Sequence, residues 1–221
     1  MLIGRNNRPK AFIKPNFKGC IVVQGPTYKD SVIKLKEICS DYQLIFSTWE
    51  DEDVANYEDG DIVLYNKKPI DAGTSNYYYQ CESTIKGVEK AKELGWYRVF
   101  KLRSDCWIKN PDMLFELFDK NSLNMYYWTK HNGGYFMDFF MEGECDDLIK
   151  IWSGDSISFP EKSMTTQLYK NELQYKVKFW GNYLTQEINI FTEKRKYWFN
   201  TIIDGETELP VWYDGHKSYK E

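Results

Sequence analysis

The run Tyr97-Arg-Val-Phe-Lys-Leu102 breaks into Arg103-Ser-Asp105, which sets a carboxylate where an apolar segment ends. A carboxylate so placed either caps the following turn or faces a ligand. Lys101 and Arg103 alternate with Leu102, so in an extended chain they share a face. Two cations beside a carboxylate suit a pyrophosphate bound with Mg²⁺ or Mn²⁺. The metal takes hard oxygen ligands and the cations meet the remaining phosphate charge. The same three residues could also form a solvated salt-bridge cluster.

Other segments offer candidates of the same kind. Gln24-Gly25-Pro26 ends an apolar run, and the glycine allows close backbone approach. There is no GxGxxG and no GxxxxGK[ST], which argues against dinucleotide enzymes and P-loop kinases. In Ser47-Thr48-Trp49, followed by Glu50–Asp53, an indole could stack on a base and an acid could bind ribose; a capped helix start fits equally. Asn76 and Gln80 stand one helical turn apart, as a binding pair or a cap. Asp138 lies among Tyr135, Phe136, Met137, Phe139 and Phe140. An apolar surround raises a carboxyl's pKa unless a partner holds the charge, which is how general bases are tuned. His131 and His216 are the two histidines, each in a loop-like context. No Ser-His-Asp or Cys-His arrangement is visible in the spacing.

These groups need elements to position them. Gly19–Gln24, Gln43–Ser47, Asp61–Tyr65 and Tyr97–Leu102 read as strands bounded by turn residues. Lys29–Ser40 reads as a helix, with Val32, Leu35 and Ile38 at helical spacing. A longer helix follows, capped by Asn76 or Ser75, with a stripe of Cys81, Ile85, Val88 and Ala91 and a stop at Gly95. Asn110-Pro111 starts another helix. That alternation implies an α/β fold with a mainly parallel central sheet and helices on both faces. Ligands in such sheets bind at the carboxyl ends of strands, near the switch in strand order. In the second half, Met125–Trp128, Val177–Phe179 and Tyr197–Ile203 read as strands, His131–Gly134 as a turn, and Asp146–Trp152 and Pro160–Leu173 as helices.

Composition sets the bounds. The chain has 221 residues, 42% of them hydrophobic, enough for a sizeable core and against wholesale disorder. Aromatics at 17% fit a Tyr-rich core and surface, and also ring-lined clefts for flat ligands such as bases and sugars. A net charge of −4 lacks the basic footprint of a nucleic-acid binder. Five cysteines with no CxxC pair read as reduced thiols, not a zinc site. No signal-peptide core opens the sequence, and no apolar run reaches membrane-spanning length. A soluble, cytoplasmic protein is the expectation. No linker-like stretch divides residues 1–221. They read as one domain with two lobes, over about 18–120 and about 121–221, the second with the mixed aromatic and turn texture an acceptor-binding part would have.

The ordered set Cys20-Ile-Val-Val-Gln-Gly-Pro26, Leu44-Ile-Phe-Ser-Thr-Trp49, Asn76…Gln80…Gly87, Lys101-Leu-Arg-Ser-Asp105 and Met137-Asp-Phe-Phe-Met-Glu-Gly143 resembles the WavE-type lipopolysaccharide-synthesis glycosyltransferases. It is also similar to the small glycosyltransferase domains of large algal viruses. The likeness runs over residues 18–152 and thins beyond, to Pro160-Glu161 and Trp180-Gly181. It implies a GT-A-like fold, a nucleotide-sugar donor (a UDP-sugar favoured, a GDP-sugar possible), a glycan or glycoconjugate acceptor, and Mn²⁺ or Mg²⁺. Asp105 then corresponds to the last acid of the Asp-x-Asp metal motif, with Arg103 in place of the first. One carboxylate would hold the metal together with diphosphate and water. Gln24, Gly25 and Pro26 would line the base and ribose pocket, with Thr48 and Trp49 nearby. Asp138 falls in the acceptor-side motif as the base, which implies inversion. Two rivals remain: a non-catalytic carbohydrate- or nucleotide-binding module of the same fold, and a nucleotidyltransferase, against which the missing Gly-rich basic loop counts.

Overall fold

Cys20–Gln24 is apolar on both faces, and as β1 all five of its residues are buried. A strand so enclosed must lie inside a sheet covered on both sides. The computed structural model describes residues 17–52, 57–58, 61–108, 110–130, 133–180, 188–190, 213–214 and 217–218. In it β1 is followed by α1 (Lys29–Ile38), β2 (Gln43–Trp49), β3 (Ile62–Asn66), α2 (Tyr77–Glu93), β4 (Arg98–Arg103), β5 (Cys106–Ile108) and α3 (Pro111–Leu117). Then come β6 (Leu123–Lys130), β7 (Gly133–Glu144), α4 (Cys145–Trp152), α5 (Pro160–Lys170), β8 (Val177–Trp180) and β9 (Ile188–Ile190).

Seven strands form one sheet in the order β3-β2-β1-β4-β7-β6-β8. The pairs β3–β2, β2–β1, β1–β4 and β6–β8 are parallel, while β7 runs antiparallel to both β4 and β6. The fold is thus α/β with a mainly parallel sheet. Helices cover both faces. α2, α4 and α5 pack on one side around Val22, Ile45, Val88, Met141, Leu148 and Trp152. α1 and α3 contribute Val32, Leu35 and Leu114 to the opposite side, with Phe46, Phe100 and Phe140.

α2 sits close on the sheet because Gly87 has no side chain. A Cβ there would stand 2.3 Å from Val22 Cγ1 and 3.2 Å from Ser47 Cβ. Nearer the start of α2, Tyr79 meets Trp49 with ring centroids 5.4 Å apart. The N-terminal end of α2 therefore points at the carboxyl edge of the sheet.

Several expectations change. Gly133 and Gly134, read as part of a turn, open β7, a twelve-residue antiparallel strand that also holds Phe136–Met141 and pairs Gly133 with Lys130. β5 is a short strand, paired antiparallel with β9, that the sequence pattern does not announce. Asn76 does precede α2, but it and Ser75 are left-handed, at φ 62° and 54°, and no side chain caps the helix. The segment read as a strand at 197–203 and both histidines lie outside the described residues. Among the described residues no helix is long and apolar enough to cross a membrane.

Candidate active site

β1 has β2 on one side and β4 on the other. The chain proceeds from β1 to β2 to β3 in one direction, then returns to place β4 on the far side of β1. The carboxyl ends of β1 and β4 thus flank the switch point where open α/β sheets bind ligands. Gln24 is in register with Ser47 on one neighbour and Arg103 on the other.

The backbone closes tightly here. Ser104 N–H donates to the Gln24 carbonyl at 2.8 Å, and Gly25 N–H donates to that of Ser47 at 3.1 Å. Gly25 takes φ 121°, and a Cβ on it would lie 2.7 Å from Ser104 Oγ, so only glycine suits the position. The Gln24 side-chain oxygen is buried without a hydrogen-bond partner, as is that of Gln80 on α2. Buried acceptors of this kind need an explanation, because most find a donor.

Beside that turn Arg103 gathers two carboxylates. Its Nε and Nη2 donate to the two Asp105 oxygens at 2.9 and 2.5 Å. Its Nη1 donates to both Asp138 oxygens at 3.0 Å. The guanidinium also lies 5.1 Å from the Phe139 ring centroid. Side-chain exposure is 15% for Arg103, 6% for Asp105 and 2% for Asp138, so the guanidinium is the member of this trio that reaches the surface most. Burial works against its charge, but Asp105 and Asp138 more than offset that and raise its pKa well above the ordinary value.

Lys101, one residue pair inward on the same face, is fully buried. Its ammonium donates to the Asp138 carbonyl oxygen and lies 4.6 Å from the Trp152 ring centroid. Burial pulls its pKa down to about 8, against the opposing pull of Asp138. The shared face read from the alternation of Lys101 and Arg103 therefore becomes two contacts with one residue, Asp138.

One participant comes from the thin end of the resemblance, at Pro160-Glu161, which assigns it no role. Glu161 stands in the first turn of α5, after Pro160 at the helix start, and α5 packs on β7. The residue is half-buried. Burial first, and then the Asp138 charge, push its pKa up to about 7, while Arg103 and Lys101 pull the other way. A proline followed by an acid marks a helix start in sequence. Nothing in that signal says the helix will lean on Asp138.

The remaining candidates stand apart. Thr48 is buried, its hydroxyl 3.2 Å from that of Thr27, which in turn meets the Tyr57 hydroxyl at 3.0 Å. That chain braces the loop after β1. Trp49 is the last residue of β2, as the sequence places it, but its indole is 2% exposed and packed on Tyr79. Pro26 and Asn76 are exposed. Asn76 lies outside the helical part of α2, so it does not share a helix face with Gln80.

The implied metal ion is tested by the oxygens present. Both oxygens of Asp105 already accept from the Arg103 guanidinium. Among the described residues no group of three or more His, Cys, Asp or Glu is placed to hold a metal. A carboxylate oxygen can take a second contact beside one hydrogen bond, so a divalent cation at Asp105 would have a single protein carboxylate, shared with Arg103, and would need ligands from a bound diphosphate or water.

No family model matches the chain, and no curated protein matches it. Among solved structures it is similar to "crystal structure of a glycosyltransferase involved in the glycosylation of the major capsid of PBCV-1", at 14% identity and a TM-score of 0.47, over 75% of this chain and 83% of that one.

Proposed function

We propose that the protein transfers a sugar from a nucleoside diphosphate sugar to a hydroxyl of a glycan or glycoconjugate, with inversion. The observation that carries this reading is the meeting of Gln24, Gly25, Arg103 and Asp105 at the switch point of the sheet. A glycine turn gives a ligand's backbone-hugging part close approach. The unpartnered oxygens of Gln24 and Gln80 suit the N–H and O–H donors of a base and ribose. Four of the bonds a guanidinium can donate go to Asp105 and Asp138, which leaves an N–H for the departing diphosphate. Asp105 and Asp138 hold that guanidinium fixed, so little reorganisation is required as charge develops. As the acceptor oxygen bonds to the anomeric carbon, the carbon–oxygen bond to the diphosphate breaks and the diphosphate leaves with the electron pair. The acceptor proton passes to a carboxylate of the cluster.

A thermal-shift screen of UDP- and GDP-sugars, each with and without Mn²⁺, tests the reading. Binding to the native state raises apparent stability by mass action. At least one sugar nucleotide is expected to raise Tm, and Mn²⁺ alone is expected to give no shift, since Asp105 is a single carboxylate already paired with Arg103. Asp105→Asn is expected to lower diphosphate release from that donor at least tenfold. Full turnover in this variant would remove Asp105 from the site. A saturable donor shift with no diphosphate release for any acceptor would favour a non-catalytic binding module.

A further inference from the structure

The cluster holds three carboxylates and two cations, and the cations are not shared evenly. Arg103 gives its fork to Asp105 and further bonds to both oxygens of Asp138. Asp138 also anchors Lys101 through its carbonyl oxygen. A carboxylate with both oxygens committed and 2% of its side chain exposed is poorly placed to receive a proton from an incoming alcohol. Glu161 differs on each count. No Arg103 bond reaches it, and it is partly exposed on the first turn of a helix that packs on the strand bearing Asp138.

We infer that Glu161 is the catalytic base, the group that takes the proton of the acceptor hydroxyl during attack, and that Asp138 is a positioning residue that fixes Arg103. This rests on the glycosyl-transfer reading above. The acceptor oxygen forms its bond to the anomeric carbon as its proton moves to the Glu161 carboxylate, and the proton then passes to solvent. Asp138 keeps both oxygens on its guanidinium, and the two carboxylates thereby take different tasks. Burial and the Asp138 charge place Glu161 near neutrality, where a base is most effective.

Of the charged groups on elements packed against α5, Asp138, Arg103 and Lys101 act on Glu161. Glu142 on β7 is held by Arg98, and Glu144 is exposed at the end of that strand. On α4, Asp147 is held by Lys150 and Lys176, and Asp146 by Lys92. The acid limb of the rate profile therefore belongs to Glu161, and Lys101 is the next group to titrate above it.

The test uses the full chain with the sugar nucleotide that gives the largest thermal shift. It follows diphosphate release between pH 5 and 9, with donor affinity measured separately. Wild type is expected to gain rate as pH rises through about 7. Glu161→Gln is expected to lose at least 100-fold in kcat, to keep donor affinity within threefold, and to lose that limb. Glu161→Asp, with the base kept but shortened, should recover part of the rate. A Glu161→Gln protein that is folded by circular dichroism and turns over at the wild-type rate overturns the inference and leaves glycosyl transfer standing. Retention of the acid limb in that variant overturns it as well. If wild type binds no sugar nucleotide, the glycosyl-transfer reading itself fails, and this assignment with it.

Discussion

Arg103→Met is expected to cost about 3–5 kcal/mol of folding stability at pH 8, read as a lower urea midpoint. The substitution keeps the stem and removes the charge, so the loss comes from two buried carboxylates left facing each other. In the native protein the guanidinium donates two bonds to Asp105 and two to Asp138. Without it both acids must either stay charged in a poor solvent or take up protons. Their folded pKa values then lie above the unfolded ones. Such groups stabilise most below the unfolded values, and the benefit is lost as pH rises through the folded ones. The deficit of Arg103→Met should therefore shrink at pH 5 and widen at pH 8. Combining it with Asp138→Asn should cost less than the sum of the single changes, because one orphaned charge is gone. Equal deficits at pH 5 and pH 8 would mean that the loss is packing over Phe139 rather than charge.

Trp152→Ala is expected to cost a similar amount, about 3–5 kcal/mol. The indole is fully buried at the end of α4, stacks on Tyr77 at 6.2 Å between centroids, and carries the Lys101 ammonium 4.6 Å from its ring centroid. Trp152→Phe keeps a ring and should lose less. The alanine variant has a second signature. Lys101 has its pKa lowered by burial to about 8, from 10.5. Between those values the unfolded chain binds a proton at Lys101 that the folded one does not, so this group adds stability as pH rises across that window, against the raised thiols above about pH 9. Water admitted by the truncated side chain relieves the burial, raises the Lys101 value and flattens the rise. A Trp152→Ala protein with the wild-type slope between pH 8 and 10.5 would show that the ammonium stays dry without the indole.

The parts of the site set by local pattern are legible in sequence, and those set by pairing between distant segments are not. Cys20–Gln24 is visible as a short apolar run bounded by turn residues, and Arg98–Arg103 through its apolar Val99, Phe100 and Leu102. Asp105 is visible because it falls where such a run breaks. That Asp138 would face Arg103 depends on Leu102 pairing with Phe140 across the β4–β7 ladder, between segments more than thirty residues apart. The apolar flanks of Asp138 suggest a tuned base, but the guanidinium that holds it is absent from that local view. Glu161 is hidden for a similar reason: its setting comes from α5 packing on β7. Trp49 stands at the strand end the sequence marks, but its burial against Tyr79 comes from α2 packing, which the local pattern does not show. Asn76 has the residue type of a cap, but its left-handed backbone uses a different property of asparagine, its tolerance of positive φ.

The five cysteines are all buried and form no disulfide. Cys20, Cys81 and Cys145 sit on the α2 face of the sheet, and Cys39 and Cys106 on the other. The thiolate is the form that reacts, and burial lifts Cys39 and Cys81 to about 12 and Cys145 to about 11. An alkylating reagent therefore finds almost nothing to attack until a region opens. The order in which the five positions gain mass becomes a clock for which side of the molecule comes apart first. A bound sugar nucleotide that grips the end of α2 should slow the Cys81 hand of that clock while Cys39 keeps its pace.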